Sequence, residues 1–159
     1  MKQRNGFVSN SSSSSFIVAY ETSPPCPHCG RSDTDFADMI RASGDISENT
    51  YIIRKYAGDI LDNLNEQVNI YKRNIKELSK ENPQNKIGTY TGSNWTVGQE
   101  IESAEEDMRI HKETIAKVEE YMKKQWRVIE FSISNHASEI YEHIRNNEDK
   151  VVVIWSDDR

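Results

Sequence analysis

Residues 7 to 20 read FVSNSSSSSFIVAY, and how that stretch is divided sets the rest of the fold. Phe16-Ile17-Val18-Ala19-Tyr20 is apolar and rich in β-formers, and Glu21-Thr22-Ser23-Pro24-Pro25 stops it, which predicts a strand. The serines Ser11 to Ser15 in front of it carry no hydrophobic pattern. By composition, residues 1–15 read as a flexible leader.

The bulk numbers bound the remainder. The chain has 159 residues, a length that suits one domain with an appendage. Apolar residues make up 35% and charged residues 29%, so the core is modest and many residues belong to a two-faced element. A net charge of −6 argues against binding nucleic acid through its phosphates. It leaves a protein partner open. The longest wholly apolar runs, Phe16–Tyr20 and Val151–Trp155, fall far short of the roughly 20 residues a membrane helix needs. The N-terminus has serines where a secretory signal has its apolar stretch, which predicts a cytoplasmic protein with no membrane partner.

The strongest periodic signal lies in the middle. Leu61, Leu64, Val68, Tyr71, Ile75 and Leu78 alternate steps of three and four residues. Val97, Ile101, Ala104, Met108, His111, Ile115, Val118 and Met122 do the same. Both are heptad seams. Asn82-Pro83 ends the first, and the linker PQNKIGTYTGSNWT, 83–96, joins them. This predicts a long antiparallel coiled-coil hairpin, with arms of about 24 residues spanning roughly 36 Å. Two ordinary amphipathic helices are the alternative.

After the hairpin, Arg127–Ser134 alternates as a half-buried strand. His136–Asn146 suits a short helix. Lys150–Ser156, KVVVIWS, reads as a strand buried on both faces. Strand, helix and strand here predict a parallel βαβ unit. The expected fold is α+β or α/β: a sheet of about three strands with flanking helices and the hairpin inserted between its first two strands. The divisions are 1–15 leader; 16–57 first strand, cysteine knuckle and a short helix with Phe36, Met39 and Ile40; 58–126 hairpin; and 127–159 closing the body. Tyr51–Ile53 is left as a short apolar patch.

Cys26-Pro27-His28-Cys29-Gly30 holds both cysteines. The pattern resembles half of a zinc ribbon or rubredoxin-type site. That resemblance implies zinc held by Cys26, Cys29 and His28, with further ligands from elsewhere or from a second chain, because a structural site needs four. It would make the protein a zinc-knuckle, nucleic-acid-associated one. The tetrapeptide also resembles the active site of thioredoxin-like disulfide oxidoreductases. That would make Cys26 the nucleophile and Cys29 the resolving thiol, although no helix continues from the motif and no later proline precedes a strand. Two reduced thiols in a turn form the third reading.

The 83–96 linker presents Tyr90 and Trp95 among small residues, a composition suited to protein recognition or to capping the hairpin end. Glu102, Glu105 and Glu106 crowd the start of the second helix with Glu100 and Asp107. That charge suits the helix dipole and also a basic partner. Asp157 and Asp158 read as a charged chain end. No catalytic constellation emerges, so a non-enzymatic protein is expected.

RNGFVSNSSSSSFIV, residues 4–18, resembles an N-terminal leader, roughly R-x-G-F-V-S-N-S-S-S-S-S-F, found on small proteins of bacteriophages and mobile elements. The resemblance implies a phage-type protein and no particular activity. Joined to the hairpin, it gives the expected function: binding and modulating a host protein. A homodimer zipped along the heptads, with a shared metal site, is a further expectation.

Overall fold

The structure is a computed structural model, and it describes residues 13–22, 27–29, 51–54, 56–87, 95–134, 144–146 and 150–157. Its elements, in chain order, are β1 (Ser13–Tyr20), β2 (Tyr51–Arg54), α1 (Ala57–Leu78), α2 (Val97–Lys123), β3 (Arg127–Ser134) and β4 (Val151–Ser156). The chain divides into two compact units. One comprises 1–55 and 126–159 and contains the sheet; the other is 56–125 and contains the two long helices. The fold is α+β.

The sheet has four strands in the order β2-β3-β1-β4, and every hydrogen-bonded pair is antiparallel. The fourth strand, beyond the three expected, is β2. Its four residues include the apolar Tyr51–Ile53 patch, too short to display a period of two. The helical unit therefore follows β2 and precedes β3, not the first strand. The expected parallel βαβ unit is also corrected. β3 and β4 do run in the same direction, but β1 lies between them and is antiparallel to both. β1 and β2 are likewise codirectional with β3 between them. This strand order and polarity are those of a ferredoxin-like sheet.

β1 occupies an interior position, and its residues answer to that. Phe16, Ile17, Val18, Ala19 and Tyr20 are all buried, so both faces of the strand are covered. On one face Phe16, Val18 and Tyr20 pack with Ile129, Phe131 and Val151, and Ile52 and Ile144 close around them. Phe16 stacks on its register partner Phe131 with ring centroids 5.5 Å apart. Such a pair contributes about 0.5–1.5 kcal/mol beyond its buried area. β3 is also interior, and Val128, Ile129, Phe131 and Ser132 are buried on both faces rather than one. β4, by contrast, is an edge strand, not one buried on both faces: Val153 in its middle is 37% exposed.

β1 begins at Ser13, inside the run expected to be flexible. Ser13, Ser14 and Ser15 pair with Ser134, Ile133 and Ser132. Side-chain patterning cannot fix the register of a serine run. Two other features fix it: the buried Phe16–Tyr20 segment that continues the strand, and Asp157. The Ser15 N–H donates to Asp157 Oδ1 at 2.8 Å, and the Asp157 N–H donates to the Ser15 carbonyl at 3.2 Å. Asp157 is therefore bound at the sheet's end and is not a loose tail.

In the helical unit α1 and α2 pack against one another. The buried residues of α1 are Ile60, Leu64 and Val68, spaced by four and four. Leu61, Gln67, Tyr71, Ile75 and Leu78 are half-buried around them. On α2 the buried set is Val97, Ala104, Thr114 and Val118, while Met122 is 42% exposed. This is a wider face than the strict two-in-seven seam that the heptads predict, and it suits an ordinary amphipathic pair. Thr114 is accommodated there because its hydroxyl donates to the Ile110 carbonyl at 2.9 Å. The His111 ring meets Tyr71 edge-on at 5.4 Å, and its Nδ1 lies 2.8 Å from the Asp107 carbonyl. α2 ends with Gln125 in the left-handed region at φ 62°, a common helix-stop conformation.

Replacing Phe131 with Ala is expected to cost about 3–5 kcal/mol of folding free energy, measured by denaturant unfolding. Asp157→Ala is expected to cost about 1–2 kcal/mol, and Asp157→Asn, which keeps an acceptor oxygen, distinctly less.

Candidate interaction site at the helix connection

The segment joining α1 to α2 is closed at its base by a short series of backbone bonds. α1 stops as the Ser79 hydroxyl donates to the Ile75 carbonyl at 2.6 Å, and a turn carries the chain on to Glu81. Asn82 then accepts from the Gln84 N–H at 3.0 Å, which turns the chain around Pro83. The returning strand of the connection is held at three points. Ile87 N–H donates to the Trp95 carbonyl at 2.9 Å, Val97 N–H to Asn85 at 2.9 Å, and Gly98 N–H to Pro83 at 3.0 Å. Lys86 and Thr96 form an antiparallel bridge between them.

Thr96 starts α2 with a full capping box. Its hydroxyl accepts from the Gln99 N–H at 3.3 Å, and Gln99 Oε1 accepts from the Thr96 N–H at 3.0 Å. The same turn positions Trp95. Its indole Nε1–H donates to Glu100 Oε2 at 2.7 Å, and the ring is half-buried. Of the two expected behaviours for Trp95, presentation or capping, the structure supplies the second contact set: the tryptophan pins the loop's end to the first turn of α2. Tyr90 lies outside the described residues.

Glu102, Glu105 and Glu106 are exposed on α2, in the two turns after this pin. Glu106 is not an uncompensated charge. The Arg109 guanidinium takes both of its oxygens, at 2.9 and 2.7 Å, and also pairs with Glu113. These bonds hold the Arg109 pKa well above its usual value. Further along, Lys124 Nζ donates to Glu120 at 2.6 Å and lies 4.7 Å from the Tyr121 ring centre. That hydrogen bond lowers the Glu120 pKa and raises that of Lys124. Both groups are exposed, so the pair adds little to stability. Whatever it adds is present above the ordinary carboxylate range and lost as pH falls through Glu120's depressed value.

His28 and Cys29 are exposed in the 27–29 turn, and Cys26 lies outside the described residues. Among the described residues no group of three or more His, Cys, Asp or Glu side chains is placed to hold a metal ion. No helix among them is long and apolar enough to cross a membrane. Comparison with protein-family models, with curated proteins and with solved structures finds no match.

The capping box and the indole pin make separable contributions. Thr96→Ala is expected to lower stability by about 1 kcal/mol. Trp95→Phe, which keeps the ring and removes the donor, is expected to lower it by about 0.5–1.5 kcal/mol. Both are read from urea unfolding followed by helical circular dichroism.

Proposed function

We propose that this is a non-enzymatic binding protein of phage type that engages and modulates a host protein through the α1–α2 connection and the acidic start of α2. The observation that carries the reading is the clamped loop base. The 88–94 segment, GTYTGSN, is joined to the helical unit at two fixed points, Ile87 and Trp95, whose backbones are bonded to each other. Anchoring a loop on a rigid element lowers the ordering cost of binding. Its composition of glycine, serine, threonine and asparagine around Tyr90 suits adaptable polar recognition with an aromatic contact. Glu102 and Glu105, exposed just beyond the Trp95–Glu100 pin, favour a partner with a basic surface. The leader resemblance of residues 4–18 supplies the host as the source of that partner. A zinc-knuckle protein and a thiol–disulfide enzyme are the competing classes.

Replacing 88–94 with a glycine-serine linker of equal length, alone and with Glu102→Lys and Glu105→Lys, tests this reading. Captured host proteins are compared by mass spectrometry for intact and altered baits. A specific partner is expected with the intact chain, weakened by the linker and abolished by the combination. A partner set that none of these changes alters would sink the reading.

A further inference from the structure

We infer that β4 is a self-pairing edge: two copies of this chain join their β4 strands antiparallel and extend the sheet. The two ends of the sheet differ in how they are guarded. β2 is only four residues long and carries a charged residue, Arg54, which is paired with Glu130. Short length and charge are among the usual devices that keep an edge from pairing. β4 is longer, VVVIWS, with no charged residue and with Val153 37% exposed. Its described backbone bonds run to β1 only.

The flanks say what fits against it. Lys150 precedes the strand and Asp157 follows it. An antiparallel copy set with Lys150 opposite Asp157 of the second copy brings Val151 opposite Ser156 and Val152 opposite Trp155. Two cation–anion pairs then close the two ends. The pairing is made possible by an irregularity in the strand. Two symmetry-related antiparallel strands need facing residues on the same side of the sheet. In a regular strand Lys150 and Asp157, an odd number of residues apart, would point to opposite sides.

Here the register against β1 shifts: Val18 faces Val153 while Ile17 faces Trp155, leaving Ile154 as an extra residue. Val152 and Trp155 therefore lie on one side, with Ala19 and Ile17. Val151 and Ser156 lie on the other, with Tyr20 and Phe16. Lys150 is held opposite Glu21, and Asp157 opposite Ser15, by backbone bonds at the two ends. Both therefore fall on the Ile17 side. Every facing pair flanking the centre shares a side only because of the bulge. The net charge of −6 sets two copies against each other at long range, and the uncharged strand with matched ends is where they can approach.

The test is the mass of the full-length protein by light scattering from about 1 to 100 µM, with folding of each variant checked by circular dichroism. A concentration-dependent dimer is expected. Val153→Lys, which places a charge in the middle of the edge, is expected to weaken it about tenfold or more. Lys150→Glu, which sets like charges opposite each other twice, is expected to weaken it similarly and to make the remaining dimer more stable in high salt. Lys150 is exposed and its structural bond is made by its backbone carbonyl, so this second variant decides the matter if Val153→Lys fails to fold. A monomer at about 100 µM overturns the inference. So does a dimer that neither substitution weakens, which would place self-association on the helical unit or give the β4 edge to a different chain.

Discussion

The sheet depends on β1 being paired on both sides. β3 and β4 do not touch as neighbours; each is held through β1. Removing β1 would leave the two-stranded β2–β3 pair and an isolated β4. A lone two-stranded pair is marginal in water. The sequence of Phe16–Tyr20 meets this demand with five apolar residues in succession, because an interior strand covered on both faces has no side turned to water. The polar start of the strand is secured differently, by the two-way bond between Ser15 and Asp157, which ties the beginning of β1 to the end of the last strand.

The helical unit follows a separate logic. Its stability comes from a broad face centred on Ile60, Leu64, Val68, Val97, Ala104 and Val118. Its charges lie mainly outside that face and are paired along the helix, as at Arg109 and Lys124. Several polar contacts gather where α2 begins: the capping box, the indole pin and the backbone bonds across the connection. A helix start needs its free N–H groups satisfied in any case. Here the same residues also tie together the two described ends of the connection, 83–87 and 95–98. This economy links local helix chemistry to the interaction surface proposed for the connection.

Much of the secondary structure was legible in the sequence because its periodicity was strong. β3 is legible from its alternation, and both long helices from apolar residues recurring at three and four. What the periodicity could not convey was context. β2 is too short to show a pattern. β4 has the composition of a buried parallel strand, yet its place in the order puts it at an edge. Ile60 lies one position off the heptad seam, so a pattern search passes over it although it is fully buried. The clasp between Ser15 and Asp157 joins positions 142 residues apart, and no local signal announces such a pair. In the site, Trp95 stood out by type, whereas its partner Glu100 read only as one of several acids suited to the helix dipole. Glu106 likewise read as part of an acidic face, and only the folded helix shows Arg109 neutralising it.

Ser13, Ser14 and Ser15 enter the fold as the first residues of an interior strand. Residue-resolved amide hydrogen exchange on the intact protein tests it most directly. Amides of β1 from Phe16 to Tyr20 are expected among the slowest to exchange, near the global unfolding limit. The Ser15 amide is expected to be protected too, and to lose that protection in Asp157→Ala while Val18 keeps its own. Exchange throughout 13–20 at the rate of an unstructured chain would contradict the account.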